Sequence, residues 1–197
     1  MHKIVFLFML FSVFSACSNH SNSAYTEEIE TYRAQIHVNM NSSRNSPFYE
    51  KKNFKGLDYF KPDNHYAVEA KAVKQSEPEL IQLETTTERK PLYYKAYKLT
   101  FKIQEKECVL WAYIKTDEEN VLFLPFKDLT NNALTYGGGR YIEMEKPSDT
   151  FNTIVLDFNK AFNPYCHYND KFSCPLVPSE NHLEVEILAG EKIYPYK

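Results

Sequence analysis

Tyr97, Leu99, Phe101 and Ile103 alternate with Lys98, Thr100 and Lys102, and a period of two places the apolar set on one face of a β-strand. A polar stretch over 104–107 separates this run from a second apolar one over 109–114, so the pattern predicts a hairpin. Further strands are expected at 66–73, 80–85, 121–126, 141–144, 153–158 and 183–188. In the last of these Leu183, Val185 and Ile187 alternate with Glu184 and Glu186. Upstream the period changes. Ile29, Tyr32, Ile36 and Met40 recur every third or fourth residue, with Glu27 and Glu28 in what would be the first turn. This spacing predicts one short amphipathic helix over 25–40, ended by the Asn, Ser and Pro cluster of 41–47, whose side chains compete for backbone hydrogen bonds. About eight strands with short polar connections and one helix predict a mainly β domain over 25–197, an antiparallel sandwich or partly closed barrel.

The first residues read as targeting rather than as part of that domain. His2 and Lys3 precede an apolar run over 4–14, followed by Ser15, Ala16 and Cys17. A bilayer-spanning helix needs roughly 20 apolar residues, and a secretory signal needs about 7 to 15 followed by small residues. Small residues before a cysteine resemble the lipobox of bacterial lipoproteins, although Phe14 stands where that motif usually has Leu. The expectation is a signal peptide over 1–16, lipidation of Cys17 and a polar tether over 17–24. It places the protein in the cell envelope, held on a membrane by its lipid and facing the periplasm.

Charge narrows the partners. The chain carries 23 Lys and Arg against 26 Asp and Glu, a net charge of −3 at pH 7. Nucleic-acid binders present a basic excess, and no Lys/Arg-rich run with interleaved aromatics occurs, so nucleic acid is not an expected partner. A small polar ligand or an envelope protein is.

Chemistry-bearing residues gather in two segments. Three of the five glycines stand together at 137–139, followed by Arg140. One reading is an anion nest, in which glycine amides and the guanidinium grip a carboxylate or phosphate. The other is a β-bulge whose arginine pairs with a nearby carboxylate. No P-loop is present, because Lys and Ser or Thr do not follow the glycines. The second segment, 157–182, has no regular pattern and holds Asp157, Asn159, Asn163 and Asn181. These side chains either converge on a ligand or satisfy the loop's own backbone.

With Cys17 taken by lipid, Cys108, Cys166 and Cys174 remain. In an oxidising envelope Cys166 and Cys174 are the expected disulfide, which would staple the longest irregular loop, and Cys108 reads as a buried thiol. A nucleophilic Cys166 with His167 or His182 as base is a second reading. Zinc held by these cysteines and histidines is disfavoured, because the cysteines stand farther apart than the usual gap of about two to four residues. No metal and no other cofactor is expected. Asp157 and Glu180 are the best candidates for a general acid/base pair.

Phe126-Lys-Asp-Leu-Thr, Thr135-Tyr-Gly-Gly-Gly-Arg-Tyr-Ile, Asp157-Phe-Asn-Lys-Ala-Phe-Asn-Pro-Tyr-Cys and Cys174-Pro-Leu-Val-Pro-Ser-Glu-Asn-His-Leu resemble the bacterial domain of unknown function 1684 family. The likeness extends upstream to Gly56-Leu-Asp-Tyr-Phe. It implies a recurrent polar set at Asp128, Thr130, Tyr136, Arg140, Asp157, Asn159, Asn163, Cys166, Cys174 and Asn181, and no assigned activity. Asn132 replaces a frequent glycine, and His167 stands where a small residue is usual. The resulting expectation is a lipid-anchored protein that binds a small polar or anionic ligand, or a partner, through Tyr136, Arg140, Asp157, Asn159, Asn163 and Asn181. The alternative is an envelope hydrolase using Cys166 or a carboxylate pair.

Overall fold

The computed structural model of the protein describes residues 16–50, 54–147 and 151–196, with the side chains of its first helix described from residue 22 onward. The leader expected over 1–16 falls almost wholly outside the described residues, as does the side chain of Cys17.

The helix α1 spans Ala16–Ser42. It therefore begins well before the expected start at residue 25: the backbone of 18–24, expected to be irregular, is helical, and Glu27 and Glu28 lie inside the helix rather than in its first turn. Ile29 and Met40 are buried and Tyr32 and Ile36 half-buried, as the three-to-four spacing requires. Arg33 is buried on the same face, its guanidinium 4.5 Å from the centre of the Tyr59 ring.

Six strands follow: β1 Ala67–Gln82, β2 Leu92–Ile103, β3 Lys106–Lys115, β4 Glu118–Phe126, β5 Arg140–Glu145 and β6 Thr153–Asp157. They form one antiparallel half-barrel in the order β5-β4-β3-β2-β1-β6. The architecture is the mainly β fold read from the sequence, in its partly closed form. The two runs expected at 66–73 and 80–85 are one long strand, β1, whose register against β2 shifts between Lys74 and Glu79. Pro78 lies in that interval, where a residue without an amide hydrogen is tolerated. The expected hairpin is β2–β3, turned by Gln104 and Glu105 at φ 48° and 64°, the left-handed pair that a tight hairpin needs.

One segment departs from its pattern. Residues 183–189 keep strict alternation, with Leu183, Val185, Ile187 and Ala189 buried and the residues between them exposed, yet the segment joins no strand ladder. Its backbone is held by scattered bonds instead: Leu183 N–H donates to the Lys127 carbonyl at 2.8 Å, and Leu129 N–H donates to the Val185 carbonyl at 3.0 Å. The alternation reports a chain with one buried side, and that does not require a strand partner.

The main core lies on one face of the sheet, where Leu99, Leu110, Leu122, Leu124 and Leu156 meet Phe126, Phe158 and the inward residues of 183–189. Each fully buried leucine contributes about 1.5–3 kcal/mol of transfer free energy. On the other face Tyr93, Tyr113, Phe123 and Tyr141 pack with Cys166, Cys174 and Val177. A third cluster, Met40, Phe48, Tyr168 and Tyr194, fixes the end of α1 against the C-terminal segment.

Gly190 closes this packing at φ +75°, and a Cβ there would stand 2.6 Å from the Phe158 carbonyl oxygen and 2.7 Å from that of Ala161. Gly190→Ala is expected to destabilise the domain by at least about 1 kcal/mol, read as a lower urea midpoint with an unchanged m-value.

Candidate functional site

Arg140 opens β5 with its side chain wholly buried. Nη2 lies 3.3 Å from Asp128 Oδ2 and donates to the Ile187 carbonyl at 2.9 Å. Nη1 donates to the Ala189 carbonyl and to the Glu191 carbonyl at 3.3 Å. Asp128 in turn accepts from Thr130 Oγ1 at 2.9 Å and from the Ile187 amide at 2.7 Å. The guanidinium therefore caps the carbonyls of the extended C-terminal segment, and an anion from solvent has no route to it. The anion-nest expectation is corrected: Arg140 is a buried brace paired with a carboxylate. Gly139, at φ +94°, admits the close approach of the Phe126 carbonyl, 2.6 Å from where a Cβ would sit, and its amide is spent on the Tyr136 carbonyl at 3.0 Å.

The asparagines are also structural. Pro125 explains Asn181. Beyond the Tyr113–Phe123 pair, the same register would set Trp111 opposite Pro125, which has no amide hydrogen to offer. Asn181 enters the gap: its Oδ1 accepts from Trp111 N–H at 2.8 Å, and its Nδ2 donates to the carbonyls of Trp111 at 2.9 Å and Pro125 at 2.7 Å. Asp157 caps a single 3-10 turn, Phe158–Lys160, and accepts from Tyr25 Oη at 2.9 Å. Asn159 donates from Nδ2 to Tyr25 Oη and the Asp63 carbonyl, both at 2.8 Å, and accepts from the Asp63 amide at 3.0 Å. These two residues pin α1 and the loop before β1 to the end of β6.

Asn163 leads to a residue that the sequence pattern did not single out. Its amide and Nδ2 donate to the Glu191 carboxylate at 3.1 and 2.8 Å, and Tyr168 Oη donates to the same carboxylate. Glu191 is fully buried, and burial pushes its carboxyl up to about 7 against the pull of these donors and of Arg140. Nothing around Glu191 in the sequence marks it, since it follows Gly190 in an irregular stretch.

Cys166 and Cys174 are neighbours, as expected, but no disulfide joins them. The Cys166 amide donates to Cys174 Sγ at 3.1 Å. The thiol–thiol hydrogen bond and burial together push the Cys174 thiol far up. Thiolate is the reactive form, so this environment opposes nucleophilic chemistry at Cys174, and Cys166 is buried. His167 is also occupied, with Nε2 accepting from the Tyr194 amide at 3.0 Å and its ring centre 4.2 Å from that of Tyr136, tilted by 32°. The Tyr136 hydroxyl bonds to Cys166. Glu180 is paired with Lys95 at 2.9 Å and Tyr113 Oη at 3.2 Å, while Asp157 belongs to the Tyr25 network, so the two carboxylates serve different contacts. Among the described residues no group of three His, Cys, Asp or Glu side chains is placed to hold a metal.

Open space lies elsewhere, on both flanks of α1. One groove of about 480 Å³ runs beside Glu30, Arg33 and His37, against Tyr59 and Lys61. The other flank holds a cleft of about 490 Å³ between Tyr32, Ile36 and Met40 of α1 and Tyr141 and Glu143 of β5. The cleft is closed off by Phe162, Pro164 and Tyr165 and by Phe172, Ser173, Cys174 and Pro175. Tyr141 Oη donates to the Pro175 carbonyl, which fixes one wall. Of the residues expected to form the site, only Cys174 lines this cleft.

A model of the family described as protein of unknown function (DUF1684) matches residues 52–192. The chain belongs to the DUF1684 family. A solution NMR structure of an uncharacterized protein from Haloarcula marismortui is 36% identical, with a TM-score of 0.69 over 88% of this chain and 97% of that one. Among curated proteins none matches.

For this DUF1684 domain the buried groups generate two expectations. Because the Glu191 carboxyl binds its proton more tightly folded than unfolded, stability should be greatest below the ordinary glutamate range, near 4.5, and fall as pH rises to about 7. Urea midpoints across pH 4–8 check this, and Glu191→Gln should flatten the curve. Alkylation of the native protein should leave Cys108, Cys166 and Cys174 slow to react, and unfolding should release three thiols without reductant. Two thiols appearing only after reduction would show the pair joined.

Proposed function

We propose that this DUF1684 chain is a lipid-anchored envelope protein that binds a small molecule in the cleft between α1 and β5. The cleft itself carries the reading. Its volume, about 490 Å³, falls in the range of ligand pockets, roughly 300–1,000 Å³, and aromatic lining with a few polar groups is the usual composition of such sites. The binding face moves from Arg140 and the asparagines, whose hydrogen-bonding groups serve the fold, to the flank of α1.

The anchor rests on the small residues before Cys17 and the short apolar run ahead of them. No helix among the described residues is long and apolar enough to cross a membrane. Cys17 lies fifteen residues before Tyr32 on one helix, about 22 Å at 1.5 Å per residue. A lipid on that cysteine would hold the cleft near the bilayer surface.

Two measurements test the two halves of this reading. Mass spectrometry of protein exported by its own leader should find acyl chains on Cys17, and Cys17→Ser should leave the protein unacylated and released from membranes. NMR of the chain with a library of small aromatic fragments should move the methyl signals of Ile36 and Met40 and leave those of the core leucines Leu110 and Leu124 in place. Acylation without fragment shifts would leave the anchor and remove the binding site.

A further inference from the structure

Among the described residues that line the α1–β5 cleft, Glu143 is the single charged side chain, and lysine, arginine and histidine do not occur. The lining also carries the rings of Tyr32, Tyr141, Phe162, Tyr165 and Phe172. An aromatic face is electrically negative, so it attracts a cation as a carboxylate does. Ring faces and carboxylate therefore bias the cleft toward the same kind of charge.

These groups are available. Tyr141 meets Phe162 edge to face at 5.9 Å and 87°, and Tyr165 meets Phe172 at 5.4 Å and 89°. An edge-on pair leaves at least one face of each ring uncovered by its partner. Glu143 forms no ion pair among the described residues: the nearby Lys115 is held by Asp117 at 2.9 Å. Lys160, 5.8 Å from the centre of the Tyr32 ring, is neutralised by Glu28 at 2.9 Å. Although Glu143 is open to solvent by area, crowding in the cleft and the neighbouring Glu118 raise its carboxyl, a state that a fixed positive charge would relieve.

We propose that the cleft takes a small organic cation of the quaternary-ammonium class, with Glu143 as counter-charge and the ring faces as its contact surface. The proposal rests on the reading of this cleft as the binding site and names the ligand's chemistry. A metal ion fits poorly, because it needs several oxygen ligands to replace its water and the lining supplies one carboxylate. A quaternary ammonium spreads its charge over methyl groups that pack on rings, and it needs no hydrogen-bond acceptors.

The test is titration of the full chain with choline and with 3,3-dimethylbutan-1-ol, its uncharged isostere, followed by NMR shifts of Ile36, Met40 and Phe172. Choline should bind at least about tenfold more tightly than the isostere. Glu143→Gln should weaken choline about tenfold and leave the isostere unchanged, with unmoved core signals showing that the variant is folded. Equal binding of the two probes, or choline binding indifferent to Glu143→Gln, overturns the cation and leaves the cleft as a site for neutral molecules. If choline moves nothing while neutral aromatic fragments shift the cleft signals, the cation again falls and the site stands. If neither choline nor the fragments shift them, both readings fall.

Discussion

The C-terminal segment of this domain is attached by a buried guanidinium. Arg140 reaches from the first position of β5 to the carbonyls of Ile187, Ala189 and Glu191, and Asp128, which balances its charge, also accepts from the Ile187 amide. A strand would satisfy those backbone groups with another strand. Here one side chain and its counter-ion do so, and the inward residues of 183–189 complete the main core as a result. Breaking a buried pair of this kind by removing one partner costs about 3–5 kcal/mol, because the other charge is left uncompensated. For a domain whose net stability is about 5–15 kcal/mol, that single contact decides whether the half-barrel has a lid.

The same logic governs the polar residues around it. Glu191 is stranded next to Arg140 once the segment is docked, and Asn163 and Tyr168 solvate it with three donated hydrogen bonds. Asn181 repairs the ladder where Pro125 interrupts it, and Asn159 ties α1 to the end of β6 through Tyr25. Buried polar groups need partners, and the side chains that looked most like a binding site supply many of them here, although Arg140 Nε and Asn163 Oδ1 themselves have none. Its open surface is left to α1. The helix leaves part of the aromatic layer uncovered, and that part is the cleft, lined by Tyr141, Phe162, Tyr165 and Phe172.

Legibility in the sequence followed how local each cause is. Strand β2 could be read from its alternation, and β3 to β6 from short apolar runs bounded by polar residues, both of them local signals. The spacing of Ile29, Ile36 and Met40 named the buried face of α1. The grouping of Cys166 with Cys174 was also legible, whereas their state as mutually bonded thiols depends on the Cys166 amide and the Tyr136 hydroxyl, which only folding brings there. The family motifs around Arg140 and Asn181 were visible, but their meaning was not: a motif reports that a side chain matters and is silent on whether it faces solvent or a carbonyl.

By itself the sequence determined a mainly β domain behind one helix, the presence of the β2–β3 hairpin, its family and an N-terminal pattern of export type. Those properties arise from periodicity and from residue types within a few positions of one another. Only the tertiary structure decided that 183–189 is extended without being a strand, that Arg140 is a brace, that Glu191 is buried, and that an accessible cleft lies on the flank of α1. Each of these depends on groups separated by 12 residues in the case of Asp128 and Arg140 and by well over 100 in the case of Tyr25 and Asp157. Burial and hydrogen-bond satisfaction are properties of such distant meetings, and no local pattern encodes them.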